Sequence, residues 1–357
     1  QVLHPTPAPI RAMPAKRING KLLRASQRHV QKPRPPFAKS LRKRPAAASV
    51  PEHCGESLPG GIQARSMWRL SDAKRKRDYE IIRDLRGRRD APVDSLGTEV
   101  LGDSSASKQV YAFQVLTAVF LSSQTRDEAT AAAVERLKRG LRGGLSAESV
   151  RQARVSTLAR LMKPVAFYNI KAQNIKSIAR KIVDDYGGAV PTGADDLCKL
   201  PGIGPKMAHI AVNVITGKPQ GIGVDVHVHR ICNQLSWVRS REPEETRVQL
   251  EKWLPYSEWS SVNLLMVGLG QQLQHARARL LRRCFEVAQP AEAVRLLARL
   301  GLDLAVREKE TGQGALHWAA SLGDVEALRL LLKQLSPHRD AAGRWPWDLA
   351  SSASTAK

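Results

Sequence analysis

The chain has 357 residues, with 57 lysines and arginines against 33 aspartates and glutamates, and a formal net charge of +24. This length allows two or three domains with a sizeable core, and a sequence pI near 10.4 indicates a polyanionic partner, nucleic acid before an anionic membrane. No apolar run approaches the roughly 18 residues of a membrane-spanning helix, and four scattered cysteines without a C-x-x-C pair exclude a disulfide-rich scaffold and a zinc ribbon.

The first 88 residues differ in composition from the rest of the chain. Residues 1–50 contain twelve basic residues and no acidic residue, and their proline-rich runs break any hydrophobic periodicity, which predicts a disordered basic leader over residues 1–88. An acid-free, arginine-rich leader resembles an organellar transit peptide, and residues 74–77 resemble a nuclear address, so we expect the nucleus, the mitochondrion or another organelle. The alternative is a solvated basic tail that adds non-specific affinity for DNA.

From about residue 91 onward the sequence predicts one helix after another. Apolar residues recur on one face over residues 111–122 and again over residues 173–186, where Gly187 and Gly188 predict a left-handed C-terminal cap. Pro243 and the two glutamates after it are typical of a helix N-terminus. No stretch shows the sustained alternation of a β-hairpin, so we predict an all-α fold.

Residues 193–215 predict a helix-hairpin-helix. A short helix over residues 193–199 is followed by a turn with the sequence Leu200-Pro201-Gly202-Ile203-Gly204 and by a second helix. The glycines bring backbone N–H groups to the surface at a helix N-terminus, which is a ready site for a DNA phosphate. Pro205 suits the first position of the second helix, because its missing N–H is not needed there.

Lys206 and Asp225 are the candidate catalytic residues. Lys206 lies in the first helical turn, where the macrodipole disfavours an ammonium, and is either a surface lysine that contacts a phosphate or a nucleophile for Schiff-base chemistry. Asp225 is predicted to cap the helix that begins at residue 226, and beside a lysine amine it would also stabilise a cationic sugar and accept a proton. His227 and His229 are two residues apart on that helix and do not share a face, so we predict no metal site there.

The stretch over residues 89–272 resembles the eukaryotic endonuclease III homologues, which are bifunctional DNA glycosylases of the helix-hairpin-helix superfamily. About half of the chain is covered. The motifs that carry the resemblance are Leu121-Ser122-Ser123-Gln124-Thr125, Phe167-Tyr168-Asn169-Ile170-Lys171-Ala172, Leu200-Pro201-Gly202-Ile203-Gly204-Pro205-Lys206, Val224-Asp225-Val226-His227-Val228-His229-Arg230 and Gly268-Leu269-Gly270-Gln271-Gln272. Together they are highly specific.

The resemblance implies a DNA glycosylase and AP lyase domain over residues 89–275. The nucleophilic lysine of the family falls on Lys206 and its catalytic aspartate on Asp225. Residues implied to contact DNA are Gln124 and Phe167, which would enter the base stack, together with Gly202, Gly204, His227 and Arg230. The implied partner is double-stranded DNA that carries oxidised or ring-saturated pyrimidines or abasic sites, and the lyase step cuts the strand.

The residues after Gln272 depart from the family. Endonuclease III homologues usually carry a [4Fe–4S] cluster on a C-x6-C-x2-C-x5-C loop at this point, and four closely spaced thiolates are what such a cluster requires. Here Cys284 is the one cysteine that follows, so the sequence predicts no cluster and no other cofactor. The cluster loop of the family also presents basic residues to DNA, and we expect a helix with Arg277, Arg279, Arg282 and Arg283 to replace part of that charge.

Residues 276–357 predict an ankyrin-like helical segment. Residues 315–332 resemble one full repeat, residues 291–301 resemble part of a preceding one, and the pattern restarts at Gly343, 31 residues after Gly312. Since about three repeats are usually needed for independent stability, the segment either packs on the glycosylase domain or binds a protein partner. The sequence thus favours a bifunctional glycosylase of base excision repair. The alternative is a catalytically impaired DNA-binding scaffold that recruits partners through the ankyrin-like segment.

Overall fold

The structure is a computed structural model that describes residues 68–353, all within one compact unit. This part of the chain contains no β-strand, and an isolated antiparallel bridge joins Arg307 to Gly314. The first nine α-helices are α1 (Ala73–Leu85), α2 (Pro92–Leu96), α3 (Lys108–Ser122), α4 (Asp127–Gly140), α5 (Ala147–Gln152), α6 (Val155–Met162), α7 (Tyr168–Tyr186), α8 (Ala194–Cys198) and α9 (Pro205–Thr216). The helices that follow are α10 (Val226–Gln234), α11 (Pro243–Glu251), α12 (Val262–His275), α13 (Arg277–Arg283), α14 (Pro290–Arg299), α15 (Ala315–Leu322), α16 (Val325–Leu332) and α17 (Pro346–Ala353).

The all-α prediction is confirmed, and several helix ends lie where local sequence signals placed them. Helix α7 ends at Gly187, which takes the left-handed conformation with φ +59°, and glycine does so without the steric cost of a Cβ. Helix α11 begins at Pro243. Helix α3 begins three residues before the predicted start, because the Ser107 side chain caps it by accepting a hydrogen bond from the Val110 N–H.

The helices surround two hydrophobic cores. A central lobe, helices α3 to α9, buries apolar residues that include Phe113, Leu116, Leu137, Ile175, Ile178 and Leu197. A terminal lobe, helix α1 with helices α10 to α16, buries residues that include Tyr79, Ile82, Trp237, Leu265, Leu297 and Leu316. Since α9 belongs to the first lobe and α10 to the second, residues 217–225 form a connection that crosses between them.

Helix α1 moves the start of the folded domain toward the N-terminus. Tyr79, Ile82 and Leu85 are buried in the terminal lobe, and the Tyr79 hydroxyl donates a hydrogen bond of 2.7 Å to Glu258. The predicted leader boundary at residue 88 is therefore wrong for residues 73–85. The run of four basic residues at the start of this helix, residues 74–77, made its sequence look like a continuation of the basic leader. Residues 1–67 of the predicted leader lie outside the described residues.

The C-terminal helices pack against the rest of the terminal lobe. Helix α13 contacts α12 and α15, and helix α14 contacts α1 and α16, so their apolar residues join the same core as α10 to α12. Gly312 and Gly343 both take the left-handed conformation, with φ +66° and +78°. An ankyrin-like identity for these helices stays a prediction. Among the described residues no helix is both long and apolar enough to span a membrane.

Candidate active site

The predicted hairpin is formed by α8, a turn over residues 199–204, and α9. Gly202 has φ +80°, and a Cβ there would lie 3.1 Å from both Asn174 and Phe120, so the turn requires glycine on two grounds. The N–H groups of Gly202 and Gly204 donate to no acceptor within residues 68–353. Both glycines reach the surface, which leaves two directed donors for an anion.

Lys206 is the second residue of α9, directly after Pro205 at the first position. Its side chain is exposed and makes no hydrogen bond or ion pair with the described residues. The positive end of the helix macrodipole opposes an ammonium at this place. The side chain therefore adds no polar contact to the described fold, and its amine is accessible from the surface.

Asp225 caps helix α10, as predicted. One carboxylate oxygen, Oδ1, accepts a hydrogen bond of 2.8 Å from the Val228 N–H, which satisfies one of the free donors of the first turn. The other oxygen, Oδ2, has no hydrogen-bond partner among the described residues. The side chain is half-buried. One oxygen thus holds the helix and the other remains available for chemistry.

Two glycines bring the segment before Asp225 against helix α9. A Cβ on Gly221 would lie 2.5 Å from the His209 ring, and a Cβ on Gly223 would lie 2.4 Å from Ile210 and 3.5 Å from the Lys206 carbonyl oxygen. Any larger residue would push the segment away from the helix that carries Lys206. The role of these glycines was missed from the sequence, although their alternation with buried Ile222 and Val224 indicates close backbone packing.

His227 lies at the centre of the charged groups of the site. A Cβ on Gly270 of α12 would lie 2.1 Å from its Nδ1 atom, so the ring sits directly against that helix. Burial lowers the pKa of His227, the nearby Asp225 and Asp127 carboxylates raise it, and Lys206 lowers it further. Arg230 acts in the same direction as Lys206, and the net effect is a lowered pKa that favours the neutral imidazole.

His229 and Arg230 of α10 have hydrogen-bond partners away from His227. His229 shares a hydrogen bond of 2.7 Å between its Nδ1 and the Thr246 hydroxyl on helix α11. Arg230 donates to Gln234 one turn further along its own helix, at 3.0 Å. The two histidines therefore contact different helices, as their spacing predicts.

Gln271 links the two lobes beside the site. Its Nε2 donates a hydrogen bond of 2.7 Å to Asp127 at the start of α4, and its Oε1 accepts one of 3.0 Å from the Val93 N–H. Burial raises the pKa of Asp127. The sequence motif at Gln271 had been interpreted only through its resemblance, and the structure gives it a physical role in connecting the lobes.

Gln124 and Phe167 lie on two adjoining loops of the central lobe. Both take the left-handed conformation, with φ +53° and +56°, which L-residues rarely adopt. Both side chains are exposed, Phe167 to 61%. The Thr125 hydroxyl accepts a hydrogen bond of 3.2 Å from the Ala166 N–H and so joins the loops. We call residues 123–125 and 166–167 the wedge loops.

Lys171 is a buried residue of this region that sequence reasoning missed. It is 6% exposed, and its ammonium donates to oxygens of the first wedge loop and of Leu121. Residues 171, 175, 178 and 182 share the buried face of helix α7. A lysine on an otherwise apolar helical stripe is the signal that predicts such a contact.

The basic residues of helix α13 are used differently from the prediction. Arg283 is 3% exposed and pairs with Asp90, and this hydrogen bond lowers the pKa of Asp90 to about 2. Arg283 therefore cannot contact DNA, because it faces the core beside Leu280 and Leu281. Arg279 also pairs with Asp90 and Arg282 pairs with Glu308, but both side chains are more than half exposed, and Arg277 donates from Nε to a backbone carbonyl of α12.

The described cysteines do not fit an iron–sulfur cluster. Cys198 belongs to α8 in the central lobe, whereas Cys232 and Cys284 belong to the core of the terminal lobe. Burial raises the pKa of the Cys232 and Cys284 thiols, which disfavours the thiolates that bind iron. No group of three or more His, Cys, Asp or Glu residues within the described range is placed to hold a metal ion. Cys54 lies outside that range.

We expect the purified protein to contain no stoichiometric iron or acid-labile sulfide and to lack broad visible absorbance. The physical reason is that a cluster requires four converging thiolates, whereas the three cysteines of residues 68–353 are divided between two hydrophobic cores. Iron and sulfide assays on anaerobically prepared protein measure this directly, with reconstitution under iron and sulfide as the second arm. About four irons per chain in either arm would contradict the prediction.

Residues 117–256 match the family model of the HhH-GPD superfamily base excision DNA repair proteins. A chicken protein named Endonuclease III-like protein 1 is 46% identical over 199 residues, which are 55% of this chain and 70% of that protein. The chain belongs to the endonuclease III family of this superfamily. The matched range contains both wedge loops, the hairpin, Lys206 and Asp225. Helix α1 and helices α12 to α17 lie outside it.

Other members of the endonuclease III family match a similar share of the chain. The mouse Endonuclease III-like protein 1 is 48% identical over 194 residues, 54% of this chain and 64% of its own length. Endonuclease III homolog 1 of Arabidopsis thaliana is 46% identical, and about half of it is covered, 52%. A solved structure titled as a non-covalent Endonuclease III-DNA complex is 28% identical over 54% of this chain and 84% of that one, with a TM-score of 0.45.

Proposed function

We propose that this protein is a bifunctional DNA glycosylase and AP lyase that acts on oxidised or ring-saturated pyrimidines in double-stranded DNA. The observation that carries the proposal is the packing of the segment that ends at Asp225 against the helix of Lys206, where a Cβ on Gly223 would lie 3.5 Å from the Lys206 carbonyl oxygen. The charges of both residues also act on His227. Membership of the endonuclease III family supports the reaction class. An exposed amine without a hydrogen-bond partner and a nearby segment that carries a carboxylate with a free oxygen supply the two groups that Schiff-base chemistry needs.

DNA would approach the face that carries the hairpin and the wedge loops. The free N–H groups of Gly202 and Gly204 would bind a backbone phosphate. A base inside the duplex is out of reach of the amine, so the damaged nucleotide must leave the stack. Gln124 and Phe167 are both exposed on the two joined wedge loops and would fill the gap that it leaves.

The first chemical step exchanges the base for the amine at C1′ of the deoxyribose. Asp225 accepts the proton that the Lys206 ammonium must lose, and the free amine then attacks C1′. The N-glycosidic bond breaks, its electrons leave with the base, and the base takes up a proton. The carboxylate also stabilises the positive charge that develops on the sugar. Breaking the bond between C1′ and the ring oxygen, which is protonated, leaves an imine between Lys206 Nζ and C1′.

The lyase step follows from this imine. The protonated imine withdraws electrons and acidifies the C2′ proton. Removal of that proton breaks the bond between C3′ and its oxygen, so the phosphate leaves and the strand is cut by β-elimination. Water then hydrolyses the imine and restores Lys206. A glycosylase that used water alone would need no lysine here, which makes Lys206 the residue that distinguishes the two reaction types.

Borohydride trapping tests the proposal. The full chain is incubated with a duplex that carries one oxidised pyrimidine, in the presence of borohydride, which reduces an imine to a stable amine. We expect a covalent protein–DNA complex, and none with the undamaged duplex of the same sequence. Tight DNA binding with no covalent complex and no base release would overturn the proposal and would favour a DNA-binding scaffold that recruits partners through residues 276–357.

Removing residues 1–67 is expected to weaken DNA binding and flatten its salt dependence while single-turnover base release stays unchanged. This segment carries 13 basic and two acidic residues, and each lost phosphate contact lowers the slope of log K against log salt by about 0.9. Titrations at several salt concentrations measure the slope for both chains. The cut is made before helix α1 because that helix is part of the core. An unchanged slope would instead favour a targeting role for the leader.

A further inference from the structure

The Lys171 side chain connects to both sides of Gln124. Its Nζ donates hydrogen bonds of 2.7 Å to the Ser123 carbonyl and 3.2 Å to the Thr125 hydroxyl. A third bond of 2.8 Å runs to the Leu121 carbonyl at the end of helix α3. The three protons of an ammonium are therefore matched by three acceptors, and two of the acceptors flank the left-handed residue Gln124.

The same residue reaches the second wedge loop through its main chain. The Lys171 N–H donates a hydrogen bond of 2.9 Å to the Phe167 carbonyl, and Thr125, which contacts Lys171, accepts from the Ala166 N–H. Lys171 is thus linked by hydrogen bonds to the loop of Gln124 and to the loop of Phe167. Both loops hold a backbone conformation that L-residues rarely adopt, and such a conformation persists only where the surrounding contacts enforce it.

Burying an ammonium carries an unfavourable desolvation free energy, which stability of the two loops alone does not require. No acidic side chain pairs with Lys171 among the described residues, and burial lowers its pKa to about 8. The carbonyls at the C-terminus of α3 offset part of the desolvation. A methionine of similar length would fill the same space without that penalty, so the charge needs another explanation.

We propose that Lys171 is a positioning residue for base extrusion, which holds the two wedge loops in the geometry they need before DNA arrives. This inference rests on the proposed function, since it assigns the loops to the step that takes the damaged base out of the stack. Preformed placement of both side chains matters because a misplacement of about 1 Å at a reacting site can lower a rate by about 100-fold.

The test compares a substrate that must be extruded with one that need not be. In Lys171→Met we expect single-turnover base release from a paired oxidised pyrimidine to fall by about tenfold or more. Borohydride trapping on the same duplex with a preformed abasic site should change by less than about threefold, because no base has to leave the stack. A 2-aminopurine placed beside the lesion reports the opened stack, and its fluorescence rise on binding should be lost in the variant.

Lys176 offers a matched control on the same helix. Its Nζ also donates to a carbonyl at the C-terminal cap of a helix, that of Ala153 after α5, but its side chain makes no hydrogen bond to either wedge loop within the described residues. Lys176→Met should leave both rates and the fluorescence signal unchanged. Thr125→Val removes the hydroxyl that accepts from Lys171 and from the Ala166 N–H and that donates to the Ser123 carbonyl within the same loop. Because the other two bonds of Lys171 remain, this variant should separate the two rates in the same direction but by a smaller factor.

The outcomes are separable. If the wild type forms no covalent complex on the abasic duplex, the proposed function fails and this inference fails with it. If the wild type reacts but Lys171→Met leaves both rates unchanged or lowers both in equal proportion, Lys171 is a structural residue and only the inference is overturned. Circular dichroism and thermal unfolding establish that each variant is folded. Should Lys171→Met not fold, Thr125→Val decides, and equal loss on both substrates then overturns the inference.

Discussion

Lys206→Gln is expected to abolish borohydride trapping on both oxidised-pyrimidine and abasic duplexes. Glutamine keeps the approximate length of the side chain but has no nucleophilic amine, so no imine can form. Base release should fall by about three orders of magnitude or more, as losses of a catalytic nucleophile do in other enzymes. The measurement is single-turnover base release and gel detection of the covalent complex. A trapped complex of normal yield would refute Lys206 as the nucleophile.

The same substitution should leave the fold intact or slightly stabilise it. The Lys206 side chain makes no hydrogen bond or ion pair with the described residues, and it places a positive charge at the positive end of helix α9. Removing that charge is worth up to about 1 kcal/mol in the free energy of unfolding. Lys218→Gln is the matched control, because it removes an exposed lysine just beyond the other end of α9. Its trapping yield and base release should equal those of the wild type.

Asp225→Asn is expected to lower base release by about 100-fold or more while the protein stays folded. The asparagine carbonyl can still accept the hydrogen bond from the Val228 N–H, so the cap of α10 persists. A neutral amide, however, neither accepts the proton of the Lys206 ammonium nor stabilises a positive sugar. Single-turnover kinetics and thermal unfolding are measured on the same preparation. Near-normal base release by this variant would mean that Asp225 caps helix α10 and has no catalytic role.

Two further variants separate the cap from the chemistry. Asp225→Ala removes both functions and should lose about 1 kcal/mol of stability in addition to activity. Asp324 caps helix α16 in the same way, with its side chain accepting from the Ala327 N–H at 2.9 Å, and it lies outside the matched family range. Asp324→Asn should therefore reproduce any effect on stability and leave base release unchanged.

Local sequence alone determined the helix ends and the hairpin. The glycine cap after α7, the proline at the start of α11, and the cap of α10 by Asp225 each depend on residues within one turn of the helix end. Such signals act through backbone conformation and short-range hydrogen bonds, so they can be recognised in the sequence before the fold is known. The same holds for Lys206, whose place in the first turn of α9 follows from the hairpin turn before it.

Tertiary structure decided the features that depend on partners far away in the chain. Helix α1 looked like part of a basic leader, because its apolar face becomes visible only once Tyr79 and Ile82 meet the terminal lobe. The sequence predicted that Arg283 contributes positive charge toward DNA. In the structure Arg283 is buried and pairs with Asp90, which lies 193 residues earlier in the chain.

The same reason explains what was missed at the site. Lys171 donates hydrogen bonds to three oxygens that lie about 50 residues earlier in the chain. Gly223 is needed because its backbone packs closely against helix α9. A pattern of residue types carries information about its neighbours in sequence. The burial of a charge, and the approach of one backbone to another, are set by the whole fold.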